Sequence, residues 1–355
     1  MGRSGWIIID KPVGIGSTNV VGWVKRALRE AGEPKTRVGH GGTLDPLASG
    51  VLPIALGEAT KLAGFMLDAT KEYEFTISFG SQTDTLDLEG AVIATSEHFP
   101  TLADVEAILP PFTGPIEQVP PAFSALKVDG KRAYDLARAG EDVVLKTRAV
   151  TVHELKVLPA EGGEGDHPKW AGRHVPRTWL DSAGHCPPAH GGGASNVTAT
   201  ALPPLSFGER SPSPPQGGRE ELASITLSAT VSKGTYIRSL ARDIALALGT
   251  VGHVTMLRRT RAGPFGLEQA ISLDFLDRAA KARELDGAVL PLIAGLDDIP
   301  ALPVTPDEAR LLHFGQRLSG NPALPGLHLA TDAGRPIALV EVTAGDVKVV
   351  RGFNL

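Results

Sequence analysis

The sequence contains a single cysteine, Cys186, in a chain of 355 residues. One cysteine cannot form a disulfide bond within the chain, which is typical of proteins from a reducing compartment, so we expect a cytoplasmic protein. No apolar run is long enough to form a transmembrane helix, and the N-terminus lacks the pattern of a signal peptide. We therefore expect no association with membranes.

Motifs for cofactors and metals are also scarce. The turn Gly14-Ile15-Gly16-Ser17 lacks the Lys-Ser/Thr ending of a phosphate-binding loop. Four histidines lie near Cys186 in the sequence: His167, His174, His185 and His190. Their spacing does not match a tetrahedral zinc site, which would also need a second cysteine here. The sequence thus predicts neither a cofactor nor a metal.

Aromatic residues make up only 5% of the chain, and three of them are tyrosines: Tyr73, Tyr134 and Tyr236. A tyrosine close to a candidate site is therefore more informative here than in an average sequence. Hydrophobic and charged residues contribute 42% and 21%, the values of a globular protein. The length allows one large domain and a small one.

Charge is distributed unevenly along the chain, although the net charge is only −5. Residues 230–262 have one acid, Asp243, among six cations: Lys233, Arg238, Arg242, Arg258, Arg259 and Arg261. Residues 84–107 have several acids and no Lys or Arg. This polarity predicts a basic face that binds phosphates, with solvated surface as the alternative.

The most informative stretch is a glycine-rich loop, Gly39-His40-Gly41-Gly42-Thr43-Leu44-Asp45-Pro46-Leu47-Ala48-Ser49-Gly50-Val51-Leu52-Pro53, which continues into an apolar strand. It contains one carboxylate, Asp45, and Pro46 restricts the backbone conformation at that residue. Taken alone, an aspartate before a proline usually caps a turn. The length of this pattern favours a functional loop instead.

This stretch resembles the active-site motif of the TruB-type tRNA pseudouridine synthases, which isomerise a uridine in the T arm of tRNA (U55). The resemblance implies that Asp45 is catalytic and that the T-arm stem-loop is the substrate. It implies that the target base is flipped out of its stack, so that His40, beside the loop, can fill the gap. The isomerisation requires no cofactor.

A second segment also resembles this family. Lys71–Gly80 alternates as a strand, with Tyr73, Phe75, Ile77 and Phe79 on one face. The alternation alone makes Tyr73 a core aromatic, whereas the resemblance implies that it stacks on the target base, because the family places a tyrosine there.

A third resemblance lies in residues 225–265, a strand, a helix and a basic strand. From the pattern alone, Arg238 is a surface cation, and Tyr236 and Leu257 are core residues. In the family, the residues that match these three line the base pocket, and the arginine pairs with the catalytic aspartate. In the implied mechanism Tyr236 accepts or relays the proton that leaves C5 of the base.

Two further segments resemble the family and are assigned supporting roles only. Asp10-Lys11-Pro12 resembles an N-terminal motif that supports the catalytic loop, although Gly16 and Asn19 depart from its usual residues. Ser17 or Thr18 is expected to cap the helix that follows, over Val20–Leu28. In Pro120–Tyr134 the residues in step with the family are Lys127, Gly130 and Tyr134.

Together these patterns predict an α+β fold with a mixed, largely antiparallel central sheet and flanking helices. Residues 1–296 form the catalytic domain, interrupted by a low-complexity insertion at about 159–221, which is rich in glycine and proline and lacks periodicity. Residues 300–355 contain a helix capped by Thr305 and two or three strands, which resemble a small PUA-like RNA-binding domain.

Two other functions remain open from the residues alone. A non-catalytic RNA-binding or tRNA-folding protein would use the same scaffold without needing Asp45. A hydrolase would need a second acid near Asp45, and the candidates are Asp10, Asp84 and Asp87. No obligate protein partner is inferred.

Overall fold

The computed structural model describes residues 2–124, 126–128, 130–140, 145–159, 220–296 and 299–354. Most of the insertion predicted at about 159–221, including Cys186 and the four nearby histidines, lies outside the described residues. Met1–Pro159 and Glu220–Leu355 form one compact unit. Within the described ranges, no helix has the length and apolar character needed to cross a membrane.

Among the residues that the structure describes, thirteen strands precede the C-terminal region: β1 (Gly5–Lys11), β2 (Val38–His40), β3 (Ser49–Leu56), β4 (Lys71–Phe79), β5 (Ser81–Thr83), β6 (Val92–Thr95), β7 (Gly114–Gln118), β8 (Lys127–Val128), β9 (Lys131–Arg132), β10 (Arg148–Val157), β11 (Ser224–Val231), β12 (Gly252–Ala262) and β13 (Phe265–Gly266). Nine of them form the central sheet, in the order β1-β3-β12-β4-β11-β10-β7, with β2 beside β3 and β13 beside β12. Strands β5 and β6 form one small hairpin, and β8 and β9 form another.

The helices are α1 (Ser17–Glu30), α2 (Ala63–Asp68), α3 (Leu102–Ile108), α4 (Ala133–Arg138), α5 (Ile237–Ala247), α6 (Leu273–Ala282) and α7 (Pro306–His313). Short 3₁₀ helices lie at Gly57–Leu62, Pro110–Phe112, Leu267–Gln269, Asp286–Ala288 and Leu292–Gly295.

The central sheet is antiparallel except where β3 and β12 pair in parallel. The predicted mixed, largely antiparallel α+β fold is therefore confirmed. In the register, Gly50 of β3 lies opposite Arg259 of β12, which in turn lies opposite Tyr73 of β4. One row of residues thus connects the end of the glycine-rich loop with Tyr73.

Two hydrophobic clusters pack around this part of the sheet. One combines residues of α5 with residues of β4 and β11, and the other combines α1 and α6 with β1 and β3. In β4 the alternation predicted from the sequence holds, because Phe75, Ile77 and Phe79 are buried. Tyr73 and Leu257 are only partly buried and pack against both clusters. They therefore lie where the two clusters meet.

Helix α1 starts where the sequence predicts, but its cap differs from the prediction. The N-cap is Gly16, and neither Ser17 nor Thr18 caps the helix. The Ser17 hydroxyl is buried and instead accepts a hydrogen bond from Leu44 N (2.8 Å) and donates one to Leu44 O (3.0 Å). It thereby ties the start of α1 to the glycine-rich loop.

The C-terminal region is a second sheet of four strands, β14 (Ala301–Pro303), β15 (Gly326–Asp332), β16 (Arg335–Thr343) and β17 (Asp346–Gly352), in chain order. Strands β15, β16 and β17 overlap the strands that the sequence predicts at Leu327–Ala330, Pro336–Val342 and Val347–Arg351. Strand β14 is too short to show periodicity, and it pairs in parallel with β15. Helix α7 begins at the predicted cap, where Thr305 and Glu308 form a capping box.

This C-terminal sheet also contributes to the core of the preceding residues. Leu329, Leu339 and Phe353 share a hydrophobic cluster with Trp6 and Ile8 of β1. The sheet is therefore packed against the N-terminal part of the chain.

The two hydrogen bonds of Ser17 generate a stability prediction. Ser17→Ala leaves the buried N–H and C=O of Leu44 unpaired, so we expect a loss of about 1–3 kcal/mol in the free energy of unfolding. The control variant Thr18→Ala changes the exposed neighbouring residue. It should alter the free energy of unfolding by less than about 0.5 kcal/mol. Urea unfolding measures both, and equal losses in the two variants would contradict this role of Ser17.

Candidate active site

The glycine-rich loop connects β2 with β3 and brings Asp45 to the end of the central sheet. Its backbone is fixed by hydrogen bonds from Gly41 N to Pro53 O (2.8 Å) and from Ala48 N to Asp45 O (3.1 Å). Gly50 is the second residue of β3. It has φ +99° and lies against the backbone of Arg259. A Cβ at Gly50 would lie 2.1 Å from Arg259 O, so only glycine permits this approach of β3 to β12.

Lys11 supports the loop from the N-terminal strand. Its side chain is buried, and Nζ donates to the carbonyl oxygens of Ile15 (2.7 Å), Pro12 (3.0 Å) and Pro46 (3.2 Å). Burial lowers the pKa of Lys11 to about 8, while the Asp45 charge acts in the opposite direction. This contact agrees with the supporting role expected of the Asp10-Lys11-Pro12 motif.

Arg259 supports the loop from the opposite side, a role that the sequence analysis did not identify. The side chain is 1% exposed and donates hydrogen bonds to three carbonyl oxygens: those of Val51 (2.7 Å), Gly42 (3.3 Å) and Thr43 (3.4 Å). Its predecessor Arg258 forms a bidentate ion pair with Asp10 at 2.9 and 3.1 Å. Both arginines thus stabilise the loop and β1.

The prediction of a basic face formed by residues 230–262 is therefore wrong for most of its cations. Arg238 and Arg259 are buried, and Arg242 and Arg258 are paired with aspartates. Only Lys233 and Arg261 are exposed. Sequence spacing did not reveal this because it does not show which side chains point into the molecule.

Asp45 forms an ion pair with Arg238, as the resemblance implied. Arg238 Nη2 lies 2.8 Å from Asp45 Oδ2, and their side chains are 7% and 42% exposed. The guanidinium is thus buried, whereas the carboxylate remains accessible from the site. Arg238 lies in the first turn of α5 and also donates to Thr85 O (2.8 Å) and Phe123 O (3.0 Å).

A second carboxylate, that of Asp87, also contacts this guanidinium. Arg238 Nη1 lies 3.1 Å from Asp87 Oδ2, and Asp87 Oδ1 accepts hydrogen bonds from Thr85 Oγ1 (2.6 Å) and Glu89 N (3.0 Å). Burial, and then the charges of Asp87 and Asp45, raise the pKa of Glu89, although Arg238 opposes this. Asp87 therefore contacts Arg238 through Oδ2, while Thr85 and Glu89 hold its Oδ1 in place.

Tyr236 lies two residues before Arg238, at the N-cap of α5. Burial raises the pKa of its phenol, and the Asp45 charge adds to this, while Arg148, the Ser124 hydroxyl and Arg238 act against it. The phenol is therefore protonated at neutral pH. Such a group donates a hydrogen bond and can relay a proton, but it is a poor base in its resting state.

His40 is partly buried at the end of β2, beside the loop. Burial lowers its pKa, and the nearby Arg259 charge lowers it further, so the imidazole is neutral at neutral pH. Its Nδ1 atom is buried and has no hydrogen-bond partner among the described residues. A neutral ring with a free nitrogen can stack and can accept or donate one additional hydrogen bond.

The structure thus brings the predicted site residues to one region, where the glycine-rich loop meets β4, β12 and the start of α5. Asp45 and Arg238 are in direct contact, and Tyr236 is close enough to be influenced by both charges. Tyr73 and Leu257 lie at the junction of the two hydrophobic clusters, next to the same loop. No group of His, Cys, Asp and Glu side chains suited to a metal occurs among the described residues.

Two family models match the sequence of this chain. "TruB family pseudouridylate synthase (N terminal domain)" matches residues 26–166, and "tRNA pseudouridylate synthase B C-terminal domain" matches residues 238–297. The matched segments include five of the six candidate site residues: His40, Asp45 and Tyr73 in the first, Arg238 and Leu257 in the second.

Curated proteins are similar over almost the whole chain. The "tRNA pseudouridine synthase B" of Novosphingobium aromaticivorans is 51% identical over 351 residues, which cover 99% of this chain and 97% of that protein. The protein of the same description from Zymomonas mobilis is 49% identical, with 99% and 96% covered.

A solved structure shares the fold. A chain from "Structure of H/ACA RNP bound to a substrate RNA containing 2'-deoxyuridine" superposes with a TM-score of 0.63 at 22% identity. The match covers 99% of this chain and 85% of that one. At this identity the similarity demonstrates the fold only.

The buried amine of Lys11 generates a pH prediction. Its pKa is about 8 in the folded protein and about 10.5 in the unfolded chain, so between these values the unfolded chain binds more protons. The free energy of unfolding should therefore rise from pH 8 to pH 10, by on the order of 2 kcal/mol from this residue.

Urea unfolding of the wild type and of Lys11→Met at several pH values measures this effect. The rise should be smaller in the variant. Lys71, whose pKa is also lowered to about 8 by burial, is present in both proteins and cancels in the comparison. An identical pH dependence in the two proteins would contradict the prediction.

Proposed function

The chain belongs to the TruB family of pseudouridylate synthases, and we propose that it converts the T-arm uridine of tRNA (U55) to pseudouridine. The observation that supports this most strongly is the Asp45–Arg238 ion pair, in which an accessible carboxylate lies 2.8 Å from a buried guanidinium. Both residues are located in segments that match the family models.

The reaction is an isomerisation within one nucleotide. The N1–C1′ bond breaks, the uracil rotates, and a C5–C1′ bond forms. The hydrogen on C5 leaves as a proton and N1 gains one, so that atoms and electrons balance without a co-reactant. Because the base must leave its stack before this chemistry, the enzyme needs a pocket for the flipped uridine.

In this proposal Asp45 is the catalytic residue that acts on the sugar or the base. The Arg238 guanidinium stabilises its negative charge, and the hydrogen bonds of Asp87, Thr85 and Phe123 keep that guanidinium in position. A preorganised charge of this kind stabilises a transition state without reorganisation of its surroundings.

The remaining candidate residues bind the base and the RNA. Tyr73 and Leu257 are proposed to enclose the uracil ring, for which aromatic stacking contributes about 1–3 kcal/mol. Tyr236, whose phenol is protonated, is proposed to relay the C5 proton and not to accept it unaided. The neutral ring of His40 is proposed to fill the gap that the flipped base leaves.

The geometry does not favour the other two functions considered from the sequence. Of the three acids that a hydrolase was considered to use with Asp45, Asp87 is bound to Arg238 and Asp10 to Arg258, while Asp84 is exposed. A protein that only binds RNA would not need the arranged carboxylate of Asp45.

The domain organisation is part of the same proposal. Residues 1–296 form the catalytic domain, and residues 300–355 form a small PUA-like domain that binds RNA. The separate four-stranded sheet with α7 supports this division. The partner is tRNA through its T arm, and a reaction on tRNA is consistent with a cytoplasmic location.

The central prediction concerns the Asp45 carboxylate. Asp45→Asn should lower the rate of pseudouridine formation on a T-arm stem-loop by roughly 10³-fold or more, because the variant retains the shape but loses the reactive group. Binding of the stem-loop, measured by filter binding, should persist.

Asp277→Asn is the control, because Asp277 is an acid of α6 whose partner, Lys281, is another surface side chain. It should leave the rate unchanged. Turnover near the wild-type value in Asp45→Asn would exclude Asp45 as the catalyst.

A second prediction concerns the insertion. Strands β10 and β11 are adjacent and antiparallel, with Val157 opposite Leu227, so a short connection can join them. Deletion of residues 162–218 should therefore keep the rate within about twofold of the wild type, because loop length has a small effect on stability. Circular dichroism and the stem-loop assay test this, and loss of the fold would mean that the insertion is structural.

A further inference from the structure

The segment Gln118–Ser124, which we call the strap, contacts the start of α5 near both of its ends. Its first residue binds the backbone of Tyr236, and its last residues lie beside the Tyr236 phenol and the Arg238 guanidinium.

Both polar atoms of the Gln118 side-chain amide form hydrogen bonds with the backbone of Tyr236. The side chain is 1% exposed, Nε2 donates to Tyr236 O (3.2 Å), and Oε1 accepts from Tyr236 N (3.0 Å). This pair of hydrogen bonds resembles a rung of a β-ladder and fixes the main chain of Tyr236 from both sides. The main chain that carries the phenol is thereby held in place before the helix begins.

The second residue of the strap, Val119, is bound by two side chains of α5. Val119 O accepts hydrogen bonds from Ser239 Oγ (2.8 Å) and Arg242 Nη2 (3.2 Å). At its end, Phe123 O accepts from Arg238 Nη2 (3.0 Å), the same nitrogen that contacts Asp45. The strap therefore touches both the tyrosine and the arginine of the site.

Ser124 differs from these residues because its hydroxyl is unpaired. Its backbone is fixed by hydrogen bonds from Ser124 N to Ala122 O and from Tyr134 N to Ser124 O, both 3.0 Å. The side chain is 4% exposed, yet Oγ has no partner in hydrogen-bonding geometry among the described residues. It is nevertheless near enough to the Tyr236 phenol to lower that group's pKa.

A buried hydroxyl without a partner is unfavourable, and an alanine at this position would avoid the cost. The other buried side-chain atom without a partner in the described part of the chain is His40 Nδ1, which also lies in the site. This coincidence indicates that the Ser124 hydroxyl serves the reaction and not the packing.

We propose that the strap positions Tyr236 for proton relay, with Gln118 fixing its main chain and the Ser124 hydroxyl orienting its phenol O–H. Both are positioning residues that act through Tyr236, and the inference rests on the proposed function. The Ser124 hydroxyl accepts a hydrogen bond from the phenol O–H while Tyr236 is protonated, and it donates one to the phenol oxygen when the proton moves. It therefore needs no bond to the substrate.

A double-mutant cycle tests the inference. Ser124→Ala should lower kcat on the T-arm stem-loop about tenfold with KM unchanged, because the phenol loses its orientation. In a Tyr236→Phe background the same substitution should have no further effect, because no hydroxyl remains to be oriented. Gln118→Met, which keeps the volume and removes both hydrogen bonds, should show the same dependence on Tyr236.

Ser239→Ala is the matched control. It removes another buried hydroxyl that binds the strap, but this hydroxyl bonds to Val119 O and not to Tyr236. Any effect that it has on kcat should therefore be equal in the two backgrounds.

A titration without RNA provides an independent measurement. The chain has three tyrosines, so phenolate absorbance can be followed and assigned with the Tyr236→Phe variant. Ser124→Ala should shift the Tyr236 titration to higher pH, because the serine lowers that pKa.

The possible results separate the two proposals. If the wild type forms no pseudouridine, the proposed function is overturned. If the wild type is active and Ser124→Ala matches it, or loses the same factor in both backgrounds, the positioning role is overturned. Coupled losses with a shifted titration support it, and a misfolded Gln118→Met leaves the Ser124 cycle as the deciding experiment.

Discussion

The site depends on one buried cation, the guanidinium of Arg238, which lies between the carboxylates of Asp45 and Asp87. A buried charge is stable only when it is paired and its hydrogen bonds are satisfied. Arg238 meets this requirement with partners from three separate loops, at Asp45, at Thr85 to Asp87, and at Phe123. Those loops must therefore converge, and their convergence forms the site.

The other cations near the site have a different task. A glycine-rich loop that turns sharply leaves carbonyl oxygens without partners, and buried carbonyls need donors. Lys11 and Arg259 provide them from opposite sides, since both side chains bond only to backbone oxygens among the hydrogen bonds described. The loop that presents Asp45 is thus built around two buried cations, and one of them, Arg259, belongs to the basic segment 230–262.

Sequence reasoning was most successful where periodicity or a long motif existed. It predicted the burial of β4 and the capped start of α7. The pairing of Asp45 with Arg238 was implied by the resemblance to the family, whereas the pattern alone made the buried Arg238 a surface cation. Sequence reasoning missed Arg259 and assigned Asp87 only as a possible second acid, because spacing along one strand reveals which residues share a face but not what they contact. Asp87 and Arg238 are 151 positions apart, and Gln118 and Tyr236 are 118 apart. Such contacts follow from strand order, which the sequence did not define.

The distribution of hydrogen bonds distinguishes the scaffold of the site from its working surface. Several side chains around Asp45 form hydrogen bonds with other parts of the protein, and these bonds make the surroundings of Asp45 rigid. They are the side chains of Lys11, Ser17, Asp87, Gln118 and Arg259. The two buried side-chain atoms without partners among the described residues belong to His40, beside the loop, and to Ser124, at the end of the strap. An unpaired buried polar atom costs about 1–3 kcal/mol, and proteins retain such costs mainly at functional sites. In the proposed reaction, the flipped base and the transferred proton provide hydrogen-bond partners for these two atoms. The rigid scaffold keeps both atoms in place until the base arrives.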